Sequence, residues 1–296
     1  MKEPLVHIIL VNYKAVDLTI ECINSLQKIT YRNYKILVVD NSPNGGLNER
    51  LKKNFSFVIK LKSNKNSGFA AANNLGIKYA LEHEAEYIVL LNNDTTVESN
   101  FLEPLIETFY NKSVGLATGK IMYSGNRDKI WYGGGKINWL RGSGIMFRGG
   151  KSDKSEVTFA SGCLFCLNRN TIEKVGLLNE KYFTYQEDTD YCVRLKRHGI
   201  VIIYEPKSKI YHQIGSTTKR SNFPALYYQF RNRLFFIQQN SPILFKPISY
   251  LYIISTMIIK SIYWTVKMDT RNVRETFVAL KDFLKMNMGP ISGENF

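Results

Sequence analysis

The sequence predicts an α/β protein: a Rossmann-like, mixed but mostly parallel sheet flanked by helices, followed by a C-terminal helical extension. Three observations support that class. Short, continuously apolar runs recur through the first half, among them "LVHIILVNY", "KILVVD" and "EYIVLL". Strands of this kind are buried on both faces, as in parallel sheets. Helix-period segments separate the runs, as in βαβ units. From about Thr218 the pattern becomes wholly helical, aromatic and basic. A boundary is therefore expected near Ser216 to Asn222, with an α/β domain over residues 1–217 and an amphipathic helical region over 218–296.

The elements follow in order. Leu5 to Tyr13 reads as the first strand, and Asp17 as the cap of a helix running to about Lys28. Lys35 to Asp40 is a second strand, stopped by the turn signal "NSPNGG". "SFVIKL" is a third strand, and "NSGFAAANNLGIKYALEH" a helix opened by Gly68. Glu86 to Leu91 is a fourth strand, ending at "NND". A helix is expected from about Asn100 to Tyr110, then the strand "VGLATGKI". Residues 125–154, rich in glycine and holding Trp131 and Trp139, read as an irregular loop or hairpin able to cover a site. "VTFASGCLFCLNR" is a strand pair or one long strand, and Asn170 opens a short helix. "EDTDYCVRLKRHG" is a helix, and "GIVIIYEP" and "SKIYHQIG" are two strands. No internal repeat is visible.

The chain has 296 residues, 44% of them hydrophobic, enough for one large core or a core with an appendage. Its 18 Tyr and 17 Phe exclude a disordered chain. The formal net charge of +15 points to an anionic partner: nucleic acid, an anionic membrane or phosphate-bearing substrates. Four cysteines are too few for a disulfide scaffold. Cys163 and Cys166 form a C-x-x-C, but no second pair follows, so buried thiols are expected rather than zinc. The N-terminus "MKEPLVHIILVNYK" mixes charge and proline and runs into a strand, so no signal peptide and an intracellular start are expected.

In parallel sheets, ligands bind beyond the carboxyl ends of the strands. Those ends carry Asn12 and Tyr13, Asp40 and Asn41, and Asn92, Asn93 and Asp94. A carboxylate at Asp40 can accept a base imide N–H or satisfy its own turn. Gly68 at a helix start permits close approach of a diphosphate, or simply caps the helix, and Lys65 adds charge. Asp94, following five apolar residues, suits a hard divalent cation that keeps waters and substrate phosphates in its shell. Glu187, Asp188 and Asp190 open one helix, where the dipole stabilises carboxylates and offsets their repulsion, keeping a base ionised near neutral pH. Acids first and bases last is also ordinary helix decoration. His212 becomes a candidate metal ligand through neutral imidazole.

The ordered series "VNYK", "VVDNSPNGG", "NSGFAAANNLGI", "LNNDTTV", "SGCLFCLNRNTIEKVGLLNEKYFTYQEDTDYCVRLKRHG" and "YHQIGS" resembles the family-2 glycosyltransferases with a GT-A fold, especially the bacterial rhamnosyltransferase-like branch. The resemblance spans about Leu5 to Ser216 and continues more weakly into "YYQFRNRLFF". It implies that Tyr13 and Asp40 contact the donor's base, and that Asn66, Gly68 and Asn73 line the donor pocket. Asn92, Asn93 and Asp94 lie at the diphosphate, with Asp94 holding Mg²⁺ or Mn²⁺ assisted by His212. Asp188 is the implied general base, and Glu187 helps to hold the acceptor hydroxyl. The family often has Asp at the position of Asn92. Asn offers only a neutral oxygen, but this branch commonly lacks that first Asp.

The implied reaction is transfer with inversion from a nucleotide-sugar donor, first dTDP-rhamnose and next a UDP-sugar such as a galactofuranose donor. The acceptor is a glycan or lipid-linked hydroxyl in cell-surface polysaccharide synthesis. Nucleic acid is not expected as a partner, and a homodimer stays open. A nucleotidyltransferase should carry a Gly-rich basic loop after the first strand, and "VNYKAVDLT" has no Gly. A non-enzymatic basic module would explain the charge but not Asp40, Asp94 and Asp188 at strand and helix edges. From Lys219 onward there are eleven bases and four acids. "PISYLYIISTMIIKSIYWTV" is nearly long enough to span a bilayer, but Lys260 and several hydroxyls favour a helix lying in an anionic membrane interface, or one packed on the catalytic domain. The expected location is cytoplasmic, peripheral on the inner face of the membrane.

Overall fold

The computed structural model describes residues 3–42, 47–150, 152–214 and 223–291. The expected domain boundary near Ser216 to Asn222 lies outside the described residues, as do residues 43–46 of the "NSPNGG" turn. In chain order the α/β part runs β1 (Val6–Asn12), α1 (Val16–Leu26), β2 (Tyr34–Asp40), α2 (Leu47–Asn54), β3 (Ile59–Lys62), α3 (Gly68–Glu82), β4 (Tyr87–Asn92), β5 (Thr95–Val97), α4 (Glu103–Glu107), β6 (Val114–Tyr123) and β7 (Asn126–Tyr132). It continues with β8 (Gly135–Asn138), β9 (Ser143–Met146), β10 (Ser155–Val157), β11 (Leu164–Asn168), α5 (Arg169–Val175), α6 (Glu187–Arg197) and β12 (Val201–His212). The C-terminal helices are α7 (Ala225–Asn240), α8 (Lys246–Val266) and α9 (Thr270–Leu284).

The main sheet has the order β10-β12-β6-β11-β4-β1-β2-β3, with β5 added on β12 and β7 on β6. β3, β2, β1 and β4 are parallel, β11 inserts antiparallel between β4 and β6, and β12 runs parallel to β6. The parallel strands are those that the apolar runs predict, and the antiparallel β11 makes the sheet mixed, as the GT-A resemblance implies. The core strands β1, β2 and β4 are buried along nearly their whole length because helices cover both faces. Registers of Asn12 with Asp40 and of Val11 with Asn92 bring the carboxyl ends of these three strands to one edge.

Some expectations change. "VIIYEP" and "SKIYH" form one strand, not two. Both halves pair with β6, and a bulge between Glu205 and Lys209 absorbs Pro206 without breaking the ladder. α4 is one short helix followed by a 3₁₀ turn to Tyr110, and Pro104 sits in its first turn. Asp17 does not cap α1. Ala15 occupies that position, its N–H is accepted by Asn12 Oδ1 at 3.2 Å, and Asp17 pairs with Arg50. Asn168, not Asn170, caps α5, accepting from the Thr171 N–H. All four cysteines are buried free thiols, as expected.

The C-terminal helices differ in how far they pack on the α/β part. α7 buries Tyr227, Phe230, Arg231, Phe235 and Phe236, and Trp139 of the β8–β9 hairpin stacks on Phe236. α8 buries only Ser249, Ile253 and Met257, while Leu251 and Ile262 are 67% and 61% exposed.

Candidate active site

A cleft of about 430 Å³ lies at the carboxyl edge of β1 and β4. Of the residues that the sequence singles out, Tyr13, Asn66, Gly68, Asn73, Asn92, Asn93, Asp94, Glu187, Asp188 and His212 all line it. Asp40 does not. It is 1% exposed, and its Oδ1 accepts from Asn12 Nδ2 and from the Ser42 N–H, both at 3.1 Å. Asp40 Oδ2 is buried with no hydrogen-bond partner among the described residues.

Much of the polar lining is committed to holding the cleft's shape. Asn41 Oδ1 accepts from the Ser67 N–H and hydroxyl, while its Nδ2 donates to Asn66 Oδ1 and to the Gly68 carbonyl. Asn73 Nδ2 donates to the Phe69 carbonyl, one turn back in α3. Asn93 Nδ2 turns away to Thr19 Oγ1 at 2.8 Å. Gly68 is required on two counts. Its φ is +86°, and a Cβ there would stand 2.4 Å from the Phe183 carbonyl oxygen. The next residue closes the junction, Phe69 N–H donating to that same oxygen at 2.6 Å.

β4 delivers Asp94 and β12 delivers His212 to the same place. His212 Nε2 lies 3.1 Å from Asp94 Oδ1, and both side chains are largely buried. Trp131 packs edge-on against the imidazole, with ring centroids 4.7 Å apart. Burial opposes charge on His212, but Cys163 and Asp94 beside it outweigh burial and push its pKa up to about 10. No cluster of three or more His, Cys, Asp or Glu suited to a metal occurs among the described residues. Asp94 and His212 are two candidate ligands, and a hard cation held by so few protein groups would take its other ligands from diphosphate oxygens and water.

The three crowded carboxylates of α6 have different surroundings. Asp190 leaves the cleft: Oδ2 pairs with Arg194 Nε at 2.9 Å, and Oδ1 accepts from Asn240 Nδ2 at 2.8 Å. Asp188 faces the cleft and is fixed at both oxygens. Oδ2 accepts from the Gly162 N–H at 3.1 Å, and Oδ1 accepts from the Thr189 N–H and hydroxyl. Burial raises its pKa, and these donors pull it back. Glu187 is 6% exposed, with Oε2 unpartnered among the described residues, and burial first and Asp188 second push its pKa up to about 8. The helix dipole thus does not keep both groups ionised at neutral pH, because desolvation dominates. Glu187 carries a proton, while the donors around Asp188 favour its charged form.

The segment before α6 is strained. Phe183, Tyr185 and Gln186 all have positive φ, between 58° and 77°. Each costs about 1–2 kcal/mol relative to right-handed backbone. Sequence reasoning missed this segment's shape and the aromatic wall formed by Phe69, Phe183, Tyr185 and Phe223. The tryptophan-bearing glycine-rich region was the available signal for Trp131 and Met146, which also line the cleft.

Residues 7–176 match the model of glycosyl transferase family 2, more than half of the chain. The chain belongs to glycosyl transferase family 2. The matched segment of this family 2 transferase carries β1 to α5 with Asp94, while Glu187, Asp188 and His212 lie beyond it. Among curated relatives, a dTDP-rhamnosyl transferase of Shigella flexneri is 29% identical over 226 residues, covering 73% of this chain and 74% of the relative. A low-salt glycan biosynthesis hexosyltransferase of Haloferax volcanii is 26% identical, covering 79% and 75%. The fold matches GalNAc-T7 solved with UDP, GalNAc and Mn²⁺, at TM-score 0.60 and 18% identity, over 71% of this chain and 43% of that one. It also matches a mannosyltransferase of Pyrobaculum calidifontis solved with GDP-Man and Mn²⁺, at TM-score 0.58 and 15% identity, over 95% and 75%. The family-2, GT-A and rhamnosyltransferase-like resemblance drawn from the motifs is borne out at this level.

Proposed function

We propose that this family 2 transferase moves a sugar, with inversion, from a nucleoside diphosphate donor to a hydroxyl of a glycan or lipid-linked acceptor in cell-surface polysaccharide synthesis. The observation that carries the reading is one cleft lined by both the Asp94–His212 pair and the Glu187–Asp188 pair. The first suits a cation and diphosphate, the second a hydroxyl that must lose its proton.

Tyr13 offers a ring for the donor base, and the unpartnered Asp40 Oδ2 is suited to a pyrimidine imide N–H. Gly68 and the start of α3 line the cleft where the diphosphate would lie, and the positive end of the helix dipole favours negative charge there. Asp94 and His212 would hold Mn²⁺ or Mg²⁺. An imidazole ligand favours Mn²⁺ over the strictly oxygen-seeking Mg²⁺. When bound, the cation supplies neutralisation of the departing nucleoside diphosphate.

Asp188, oriented by Gly162 and Thr189, takes the proton from the acceptor hydroxyl as it attacks the anomeric carbon. Glu187, carrying its own proton, donates a hydrogen bond that holds the acceptor. One base and one displacement give inversion. A positioned carboxylate base contributes about 10²- to 10⁴-fold.

dTDP-rhamnose is the first donor candidate, supported by the name of the Shigella flexneri relative, with UDP-sugars second. A donor-hydrolysis screen over nucleotide sugars, with Mn²⁺, Mg²⁺ or excess chelator, tests this reading. Full activity in chelator, or no preference among donors, would overturn it.

The acceptor reading places the protein on the inner face of the membrane. α8 and its flanks, residues 243–266, contain no acidic residue and pass the length and composition test for a membrane-crossing helix. Ser249, Ile253 and Met257 are held against the protein, and Lys260 lies mid-helix over the rings of Phe230 and Trp264. A helix tied along one side in this way lies in the interface rather than across it.

A further inference from the structure

The strained segment Phe183 to Gln186 directly precedes the two cleft carboxylates. Backbone of that kind keeps its shape only where the surroundings over-determine it. The side chain that does so comes from α7. Asn232 Nδ2 donates to the carbonyls of Tyr182 at 2.6 Å, Thr184 at 2.7 Å and Tyr185 at 3.0 Å. One amide group has two hydrogens, so three acceptors at these distances share them. Asn232 is itself fully buried, and its Oδ1 accepts from Arg231 Nε at 3.1 Å. Arg231 in turn donates to the Tyr227 hydroxyl at 2.8 Å, which donates to Asp282 Oδ2 at 2.7 Å. Further along α7, Asn240 Nδ2 holds Asp190 Oδ1 at 2.8 Å. The helix therefore grips the chain on both sides of Glu187 and Asp188.

The hairpin is gripped as well. Arg233 Nε donates to the Arg141 carbonyl at 2.9 Å, and Ser249 Oγ to the Trp139 carbonyl at 2.9 Å. Asn232, however, is the contact that reaches the backbone next to the carboxylates, and it does not line the cleft.

We propose that Asn232 is a positioning residue for transfer: it fixes the Tyr182–Tyr185 backbone, and through it the placement of Asp188 against the acceptor hydroxyl, without touching substrate. The inference rests on the reading of Asp188 as the base. It makes the C-terminal helices part of the catalytic apparatus rather than an appendage.

The test uses the full-length chain and compares Asn232→Asp and Asn232→Ser with Leu280→Ala. Asp keeps the shape but turns an acceptor toward three carbonyls. Ser keeps one donor. Leu280 belongs to the same apolar cluster as Phe183 and Tyr185 but leaves the Asn232 hydrogen bonds in place, so its truncation supplies a loss of thermal stability without removing the contact under test. Asn232→Asp should lower kcat about 10²-fold, the cost of a misplaced catalytic group. Donor KM and nucleoside diphosphate binding with Mn²⁺ should stay within about threefold, a split that a lost transition-state interaction produces. Ser should recover part of kcat, and Leu280→Ala should keep it below its melting temperature.

If Asn232→Asp does not accumulate, the Ser variant carries the same comparison. A kcat loss no larger than that of Leu280→Ala at equal stability overturns the proposal, as does a loss confined to donor KM. Asp188→Asn is measured in parallel. Retained turnover there removes the base reading, whereas an inactive Asp188→Asn beside an unaffected Asn232→Asp removes this inference alone.

Discussion

His212 Nε2 lies 3.1 Å from Asp94 Oδ1, although one residue follows β4 and the other ends β12. β5 and the last residues of β12 make the meeting: Thr95 pairs with His212, and the Gln213 N–H donates to the Asp94 carbonyl. A metal needs the neutral imidazole, while the protein holds the proton on with a pKa of about 10. Metal binding should therefore release a proton, and Mn²⁺ affinity, followed by calorimetry with nucleoside diphosphate present, should rise from pH 6.5 to 8.5. His212→Ala should weaken binding and flatten that dependence. An affinity independent of pH in the native protein would contradict the assignment.

Asp188→Asn should lower turnover about 10²- to 10⁴-fold with nucleoside diphosphate affinity nearly unchanged. Glu187→Gln should be far milder at neutral pH, because the amide replaces an acid that is already protonated. In the native enzyme, turnover should decline as pH rises through about 8, where Glu187 ionises beside Asp188. Parallel pH–rate profiles check this, and the Gln variant should lack that decline.

The same group has a stability signature. The folded pKa of Glu187 lies above its unfolded value, so the stability its protonated form allows is complete at low pH and lost as pH rises from about 4.5 to about 8. Glu187→Gln should thus raise the melting temperature at pH 8 and change it little at pH 4.5. A thermal shift series at the two pH values measures it.

His7 behaves in the opposite sense. It is fully buried in β1 with neither ring nitrogen partnered among the described residues, and burial, then Lys35 and His83, push its pKa down to about 4. Stability from the neutral ring is complete above about 6.5 and is lost as pH falls toward 4. Each pH unit in that window costs about 1.4 kcal/mol. His7→Phe should flatten that part of a denaturant-unfolding series, whereas an unchanged acid limb would contradict it.

For α8, the full-length protein should co-sediment with vesicles containing anionic lipid and not with zwitterionic ones. Leu251→Asn with Ile262→Asn, both at exposed positions, should release it while leaving donor hydrolysis and melting temperature unchanged. Salt should weaken the charged component and leave the apolar one. A protein that ignores anionic vesicles at low salt, and whose size in solution halves with these substitutions, would make the face a self-interface instead.

The residues themselves determined much of this protein. Unbroken apolar runs specified β1, β2 and β4, because a strand covered on both faces has no polar side to show. Placing Asp94 and Asp188 required only the knowledge that β4 ends in "NND" and that a helix starts with "ED". Tertiary structure decided what surrounds each group there. Asp40 and Asp94 look alike as strand-end acids, yet the Asn12 and Ser42 donors turn one inward while β12 brings His212 to the other. Glu187, Asp188 and Asp190 are equivalent as letters, but burial pushes the pKa of the first up to about 8, Gly162 and Thr189 hold both oxygens of the second and oppose the rise that burial causes, and Arg194 with Asn240 turns the third away. Local pattern encodes period and turn, which depend on near neighbours. Protonation and hydrogen-bond partnership depend on desolvation and on groups such as Asn232, brought near only when the chain has closed.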